Sequence, residues 1–225
     1  MTERQVALIT GATKGIGAAV ARALAPTHDL LLGGRNADAL RALAGELPGS
    51  RPWPVELTDL DALAEPTAEL STLDVLVHSA GTVVLDSLEG TPVSRWRELL
   101  ELNVVAVAEL TRLLLPALRS SGGHVVLINS GQGRNASAGW GAYAASKFAL
   151  RAYADVLRAE ETGLRVTSVY PGRVDTDMQR TVFAAEGREY RTDGLLRPDS
   201  VAEAVRGAIL ATADAHQTEL VIRPR

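Results

Sequence analysis

Short apolar runs alternate with helical patterns along the whole chain, and this alternation constrains the fold more than any other feature. Val6-Ala7-Leu8-Ile9 reads as a compact buried strand, followed by a helix from Gly15 to Ala25 that Pro26 ends. Leu30-Leu31-Leu32 is a second strand, and Ala37–Leu47 a second helix with Asn36 as its cap. A weaker third strand lies at Trp53-Pro54-Val55, before a helix from about Asp59. Val75-Leu76-Val77 is the fourth strand, and a long helix spans Val93–Leu118, which Pro116 is expected to bend or shorten. His124–Asn129 is the fifth strand, Ala142–Glu161 another helix, Arg165–Val169 the sixth strand and Leu220-Val221-Ile222 the seventh. Strands alternating with helices predict an α/β fold, a Rossmann-like doubly wound sheet of about seven mainly parallel strands with helices on both faces. The 225 residues suit one domain. One irregular, polar stretch, at about 175–199, stands out as a substrate lid.

Composition excludes several functions. The net charge of −4 offers no electrostatic reason to bind nucleic acid or anionic lipid. With no cysteine, disulfides and thiolate chemistry are ruled out. No apolar run approaches the roughly 20 residues that span a bilayer. Met1-Thr2-Glu3-Arg4-Gln5 lacks the layout of a secretion signal, so a cytoplasmic protein is expected. The four histidines, His28, His78, His124 and His216, are isolated in sequence and suggest no metal site.

Thr10-Gly11-Ala12-Thr13-Lys14-Gly15-Ile16-Gly17 follows the first strand and opens the first helix. Glycines there let the backbone turn sharply and approach a pyrophosphate, while the helix N-terminus offers unpaired N–H donors. In this strand-to-helix context the loop is a dinucleotide-binding signature. The end of the second strand selects the cofactor. An acid there would bind the ribose hydroxyls of NAD, but this chain reads Gly33-Gly34-Arg35, with no carboxylate at the turn. Arg35 offers a fork suited to phosphate, and Lys14 can approach from the other side, so NADP(H) is expected.

Tyr143 and Lys147 are one helical turn apart on the same face. A phenol with a pKa near 10 is a poor base at neutral pH, and an adjacent ammonium lowers that value. Ser130 ends the fifth strand, on the sheet edge that also carries the glycine loop.

With these motifs in order, the chain resembles the short-chain dehydrogenase/reductase family, in its compact single-domain branch. Ser130 stands thirteen positions before Tyr143, Leu102-Asn103-Val104 matches the helix asparagine, and Pro171-Gly172-Arg173-Val174-Asp175-Thr176 matches the segment after the sixth strand. The resemblance implies that Tyr143 is the general acid in reduction and that Ser130 hydrogen-bonds the substrate oxygen. It implies that Lys147 holds the nicotinamide ribose and lowers the tyrosine pKa, and that Asn103 anchors a proton-supplying water. It further implies that Pro171, Gly172, Val174 and Thr176 position the carboxamide, and that Asp59 and Leu60 contact the adenine. Where the family has Asn-Asn-Ala-Gly, this chain has His78-Ser79-Ala80-Gly81. Ala80 and Gly81 keep the close backbone approach to the cofactor, Ser79 can still make side-chain hydrogen bonds in this cofactor-binding segment with a shorter reach than asparagine, and His78 is expected to be a packed, hydrogen-bonded residue.

The expected reaction is NADPH-dependent reduction of a small carbonyl compound, or oxidation of the alcohol. Met178, Val182, Phe183 and Tyr190 in the lid, with Gln132 and Trp140, suggest an apolar or aromatic substrate. Arg173, Arg180, Arg188 and Arg191 would suit an anion if they are not simply solvated. A non-catalytic NADP(H) sensor is the alternative, but it would have no use for the Asn103, Ser130, Tyr143 and Lys147 set. A sugar-nucleotide epimerase or dehydratase would need a larger C-terminal domain. The resemblance also implies a homodimer or homotetramer built on the helices of Asn103 and Tyr143.

Overall fold

The computed structural model describes residues 4–225; the first three residues, where the leader expectation partly falls, lie outside them. Seven strands form one sheet: β1 (Gln5–Thr10), β2 (His28–Gly34), β3 (Ser50–Pro54), β4 (Val75–His78), β5 (His124–Ile128), β6 (Arg165–Pro171) and β7 (Glu219–Ile222). Their order is β3-β2-β1-β4-β5-β6-β7, and every pairing is parallel. The strand order reverses between β1 and β4, which makes their C-terminal ends the place for a ligand.

The inner strands read as apolar runs because both faces are buried, yet each run divides its residues by period two; the edge strands β3 and β7 are half exposed. Ala7, Ile9, Leu30, Leu32, Val75 and Val77 join one core, beneath α1 (Gly15–Leu24), α2 (Ala37–Glu46) and α8 (Pro198–Ile209). Leu8, Leu31, Leu76, Val125 and Leu127 join the other, beneath α5 (Ala106–Ser121) and α6 (Gly141–Glu160). Asn36 caps α2, its side chain accepting from Ala39 N at 3.0 Å.

Three elements differ from the sequence expectation. The long helix is divided into α4 (Val93–Leu100), a π turn over Glu101–Val105, and α5. Pro116 lies inside α5 without ending it, because Pro116 and Arg112 (whose carbonyl loses its partner) both face solvent. Gly122, at φ +63°, ends that helix instead. After Asp59 there is only a 3₁₀ turn, Asp61–Leu63, and the five-residue α3 (Ala64–Ala68).

The third difference is in 175–199, the expected lid. It is not irregular throughout, since α7 (Asp177–Ala185) occupies its first half. Thr176 starts α7 by accepting from Gln179 N at 3.3 Å. Arg173–Asp175 pairs with Leu196 to close the lid's base. Val182 and Phe183 are buried rather than presented, while Met178 stays exposed. The lid arginines are engaged within the lid: Arg173 and Arg188 flank the Phe183 ring and both pair with Glu186, Arg191 pairs with Glu189, and Arg180 covers Tyr190.

Candidate active site

The glycine loop is shaped by contacts that only glycine allows. Gly11 has φ +65°, and a Cβ there would lie 2.9 Å from the Ala80 backbone. At Gly17 the conformation is ordinary, but a Cβ would lie 2.3 Å from the Gly11 carbonyl oxygen. Gly17→Ala is therefore expected to cost about 1–3 kcal/mol, as overpacking does, and to lower the urea midpoint. An unchanged midpoint would show that the loop and α1 can separate at little cost.

Thr10 joins the two halves of the sheet at this point. Its hydroxyl donates to Val77 O at 3.4 Å and accepts from Ser79 N and Ala80 N at 3.1 and 3.2 Å. The sequence reading placed Thr10 in the loop motif but gave it no part. Ser79 Oγ lies against Gly17, filling the space between β4 and α1. His78 is a packed residue: its Nε2 lies 2.9 Å from Thr111 Oγ1, which itself donates to Val107 O. Nε2 therefore carries the proton, and complete burial pushes the ring pKa down to about 3, so it stays neutral.

Thr13, Lys14, Gly15 and Thr176 line a cleft of about 400 Å³ between the glycine loop and α7. Lys14 Nζ is 3.4 Å from Asp177 Oδ2. Ala12 N donates to Gly33 O, and Val55 N to Gly34 O, so the loop and the segment after β3 both meet the end of β2. The Gly33-Gly34-Arg35 turn itself carries no carboxylate, but that register brings one to it from another strand. Glu56, beyond β3, brings its Oε2 within 3.5 Å of Arg35 Nη1. Asp59 Oδ1 caps its own turn, accepting from Ala62 N at 3.3 Å, and Leu60 packs on the second core. Gly172 N donates to Ile222 O at 2.8 Å, and Val174 is buried. Ile16 packs against the first core.

The residues expected to transfer the proton meet at the same sheet edge. Lys147 is buried on α6; its Nζ donates to Ile128 O at 3.0 Å and lies 5.9 Å from the Tyr143 ring centre. Burial lowers its pKa to about 8. Burial also pushes the Tyr143 phenol above its ordinary value, and the neighbouring Ser130 hydroxyl pulls it partly back. The expected lowering by Lys147 is not found: desolvation sets the direction, and Tyr143 holds its proton at neutral pH.

Asn103 sits in the π turn, which aims its side chain inward. It accepts from Thr82 N at 3.0 Å and donates to Thr82 O and Ser146 Oγ. A Cβ on Gly81 would lie 3.1 Å from Asn103 Oδ1 and 3.9 Å from Lys147 Nζ, so glycine keeps that gap open. Asn129, missed in the sequence reading, joins strand end to helix: its Oδ1 accepts from Ser130 N and its Nδ2 donates to Lys147 O. Ser130 Oγ accepts from Gln132 N at 3.2 Å. Beside the phenol, Trp140 lies 5.7 Å away between ring centres, and Val83, Val84, Trp96 and Leu99 complete an apolar wall.

The glycine cradle fits a dinucleotide. Its backbone is forced close to β4, and no acidic residue in the first turn of α1 opposes the helix dipole. A parallel sheet with this cradle at its switch point, and a buried phenol, hydroxyl and amine beside it, defines a Rossmann-type oxidoreductase. The family model of the short chain dehydrogenases matches residues 5–187, and this chain belongs to that family.

Glycine betaine reductase of Emericella nidulans is 35% identical over 98% of this chain, which spans 19% of that protein. Dehydrogenase/reductase SDR family member 7B of Mus musculus is 35% identical over 82% of this chain, which spans 62% of that protein. The chain thus covers less than two thirds of either curated relative. Among solved structures, the alcohol dehydrogenase of Thermococcus sibiricus complexed with 5-hydroxy-NADP superposes with a TM-score of 0.90 at 29% identity, covering 99% of this chain and 97% of that one. No helix among the described residues is long and apolar enough to cross a membrane. No group of His, Asp and Glu among them could hold a metal ion.

Proposed function

We propose that this chain is an NADPH-dependent carbonyl reductase acting on a small, apolar or aromatic carbonyl compound. The observation that carries this reading is the buried Tyr143 phenol with Lys147 Nζ 5.9 Å from its ring centre, beside Ser130 at the end of β5. A phenol that keeps its proton is a donor, which suits reduction. When bound, the nicotinamide cofactor supplies the hydride. Ser130 and Tyr143 donate hydrogen bonds to the substrate oxygen as it gains charge, and Tyr143 gives up its proton. Lys147 and Asn103 stand behind it on the path that restores the proton. Pro171, Gly172, Val174 and Thr176 form the edge that positions the cofactor's carboxamide. The wall of Val83, Val84, Trp96 and Trp140 favours an apolar substituent on the substrate.

Arg35 and Lys14 support the choice of phosphorylated cofactor, as does the NADP derivative in the Thermococcus sibiricus relative. A panel of ketones, diketones, aldehydes and quinones tests the reading, with NADPH oxidation as the readout. At least one class is expected to turn over; consumption by none of them, despite cofactor binding, would favour a sensor. Arg35→Ala is expected to lower kcat/KM for NADPH by about 10- to 100-fold, the range for a charge-assisted bond, and to spare NADH. Equal efficiency with both cofactors in parent and variant alike would overturn the NADP assignment. Val93 and Val105 on the α4–α5 segment and Phe148 and Val156 on α6 are exposed apolar residues. They support assembly of a dimer or tetramer through those helices.

A further inference from the structure

Arg223 brings a cation to the candidate active site from the far edge of the sheet. Leu220 and Ile222 pack on the first core, so by the period of two Glu219, Val221 and Arg223 face the other side of β7, where α6 lies. Glu219 meets Arg151 of α6 there, at 3.9 Å. Gly172 N donates to Ile222 O at 2.8 Å, and a Cβ on Gly172 would lie 2.9 Å from Pro224 Cδ, so the segment after β7 is held against the end of β6. From there the Arg223 side chain reaches across to the end of β5. A Cβ on Gly131 would lie 2.7 Å from Arg223 Nη1 and 3.6 Å from its Cζ. Gly131 directly follows Ser130 in the chain, and glycine there leaves room for the guanidinium. The charge therefore runs from the segment assigned to the carboxamide to the residue assigned to the substrate oxygen.

Its neighbours leave this charge unanswered. Glu219 is shared between Arg134, at 3.2 Å, and Arg151, and Asp175 accepts from the Tyr190 hydroxyl. The lid arginines that could have met an anion are engaged within the lid, with Glu186, Glu189 and the Tyr190 ring. Arg223 has no carboxylate partner among the described residues. A guanidinium keeps its charge at any working pH and offers a planar fork that fits a carboxylate. We infer that Arg223 binds an anionic group of the substrate, and that the substrate is an oxo acid. Its apolar part lies on the wall of Val83, Val84, Trp96 and Trp140, and its carboxylate lies toward Arg223. This deepens the reading of the chain as a carbonyl reductase and rests on it.

The test separates binding from turnover. Phenylglyoxylate and its methyl ester share one aromatic ketone skeleton and differ in the charge. Each is titrated calorimetrically into parent and Arg223→Gln protein saturated with NADP+, where both partners are oxidised and no hydride moves. The parent is expected to bind the acid about tenfold more tightly than the ester at low ionic strength, as a charge-assisted bond gives. That preference should shrink as salt rises, because the guanidinium is exposed. Arg223→Gln should lose the preference by weakening the acid alone, and Arg223→Lys should restore part of it. Acid affinity unchanged in Arg223→Gln, or a parent that favours the ester, would overturn the proposal. An equal loss for acid and ester would also overturn it, since the residue would then shape the site without reading the charge. NADPH oxidation by the same pair is measured separately. If the acid preference depends on Arg223 but neither compound is reduced, the anion site stands and the reductase reading is what fails.

Discussion

Tyr143→Phe is expected to lower the turnover of carbonyl reduction at least about 100-fold, or roughly 3 kcal/mol of barrier, the least that a positioned general acid contributes. The change is well confined. The ring is buried against Trp140 and Ala142, with Lys147 Nζ over it, and phenylalanine keeps that packing. Only the hydroxyl is lost, from its place beside the Ser130 hydroxyl. Dinucleotide affinity and the thermal midpoint should therefore stay close to the parent's. A fall in turnover with binding and stability unchanged places the loss in the chemical step. Near-parent turnover would remove Tyr143 from the proton-transfer role and leave Ser130 alone at the substrate oxygen.

The sheet was legible because the inner strands are short apolar runs and the crossovers are mostly helical; together with handedness these leave few topologies. The candidate catalytic set was legible for a related reason. Ser130 ends β5 and Tyr143 begins the helix after it, so chain distance nearly reports spatial distance. What escaped depends on contacts between segments far apart in sequence. Glu56 reaches Arg35 only through the register of β2 with β3. Thr10 matters because β4, far along the chain, pairs beside β1. Asn129 gains its part only when α6 folds back to offer the Lys147 carbonyl. The π turn at Asn103 has no periodicity signal, since one widened turn barely shifts the apolar face of an otherwise continuous helix. α7 was concealed in a polar stretch, although Thr176 before Asp177 and Gln179 was a readable cap signal.

Lys147→Met separates stability from activity in the opposite direction to a simple core defect. The ammonium is buried, and burial brings its pKa from 10.5 to about 8. Below pH 8 the folded protein thus holds a buried charge that the unfolded chain leaves in water, a penalty of about 3 kcal/mol by linkage. As pH rises from 8 towards 10.5 the folded state sheds that proton before the unfolded state does, and the penalty fades. Methionine carries no charge and fills similar space; it loses the charge-assisted bond to Ile128 O, worth about 1.5–3 kcal/mol. At pH 7 the cofactor-free variant should therefore be about 1 kcal/mol more stable than the parent by urea denaturation, with the difference vanishing and then reversing as pH rises towards 10.5. Turnover should drop about 100-fold or more, because the amine behind Tyr143 is gone. A variant less stable than the parent at pH 7, with no narrowing on the alkaline side, would mean that the ammonium is better solvated than its burial implies. A stabilised but inactive variant would show that the fold keeps this lysine at a thermodynamic cost for its position beside the phenol.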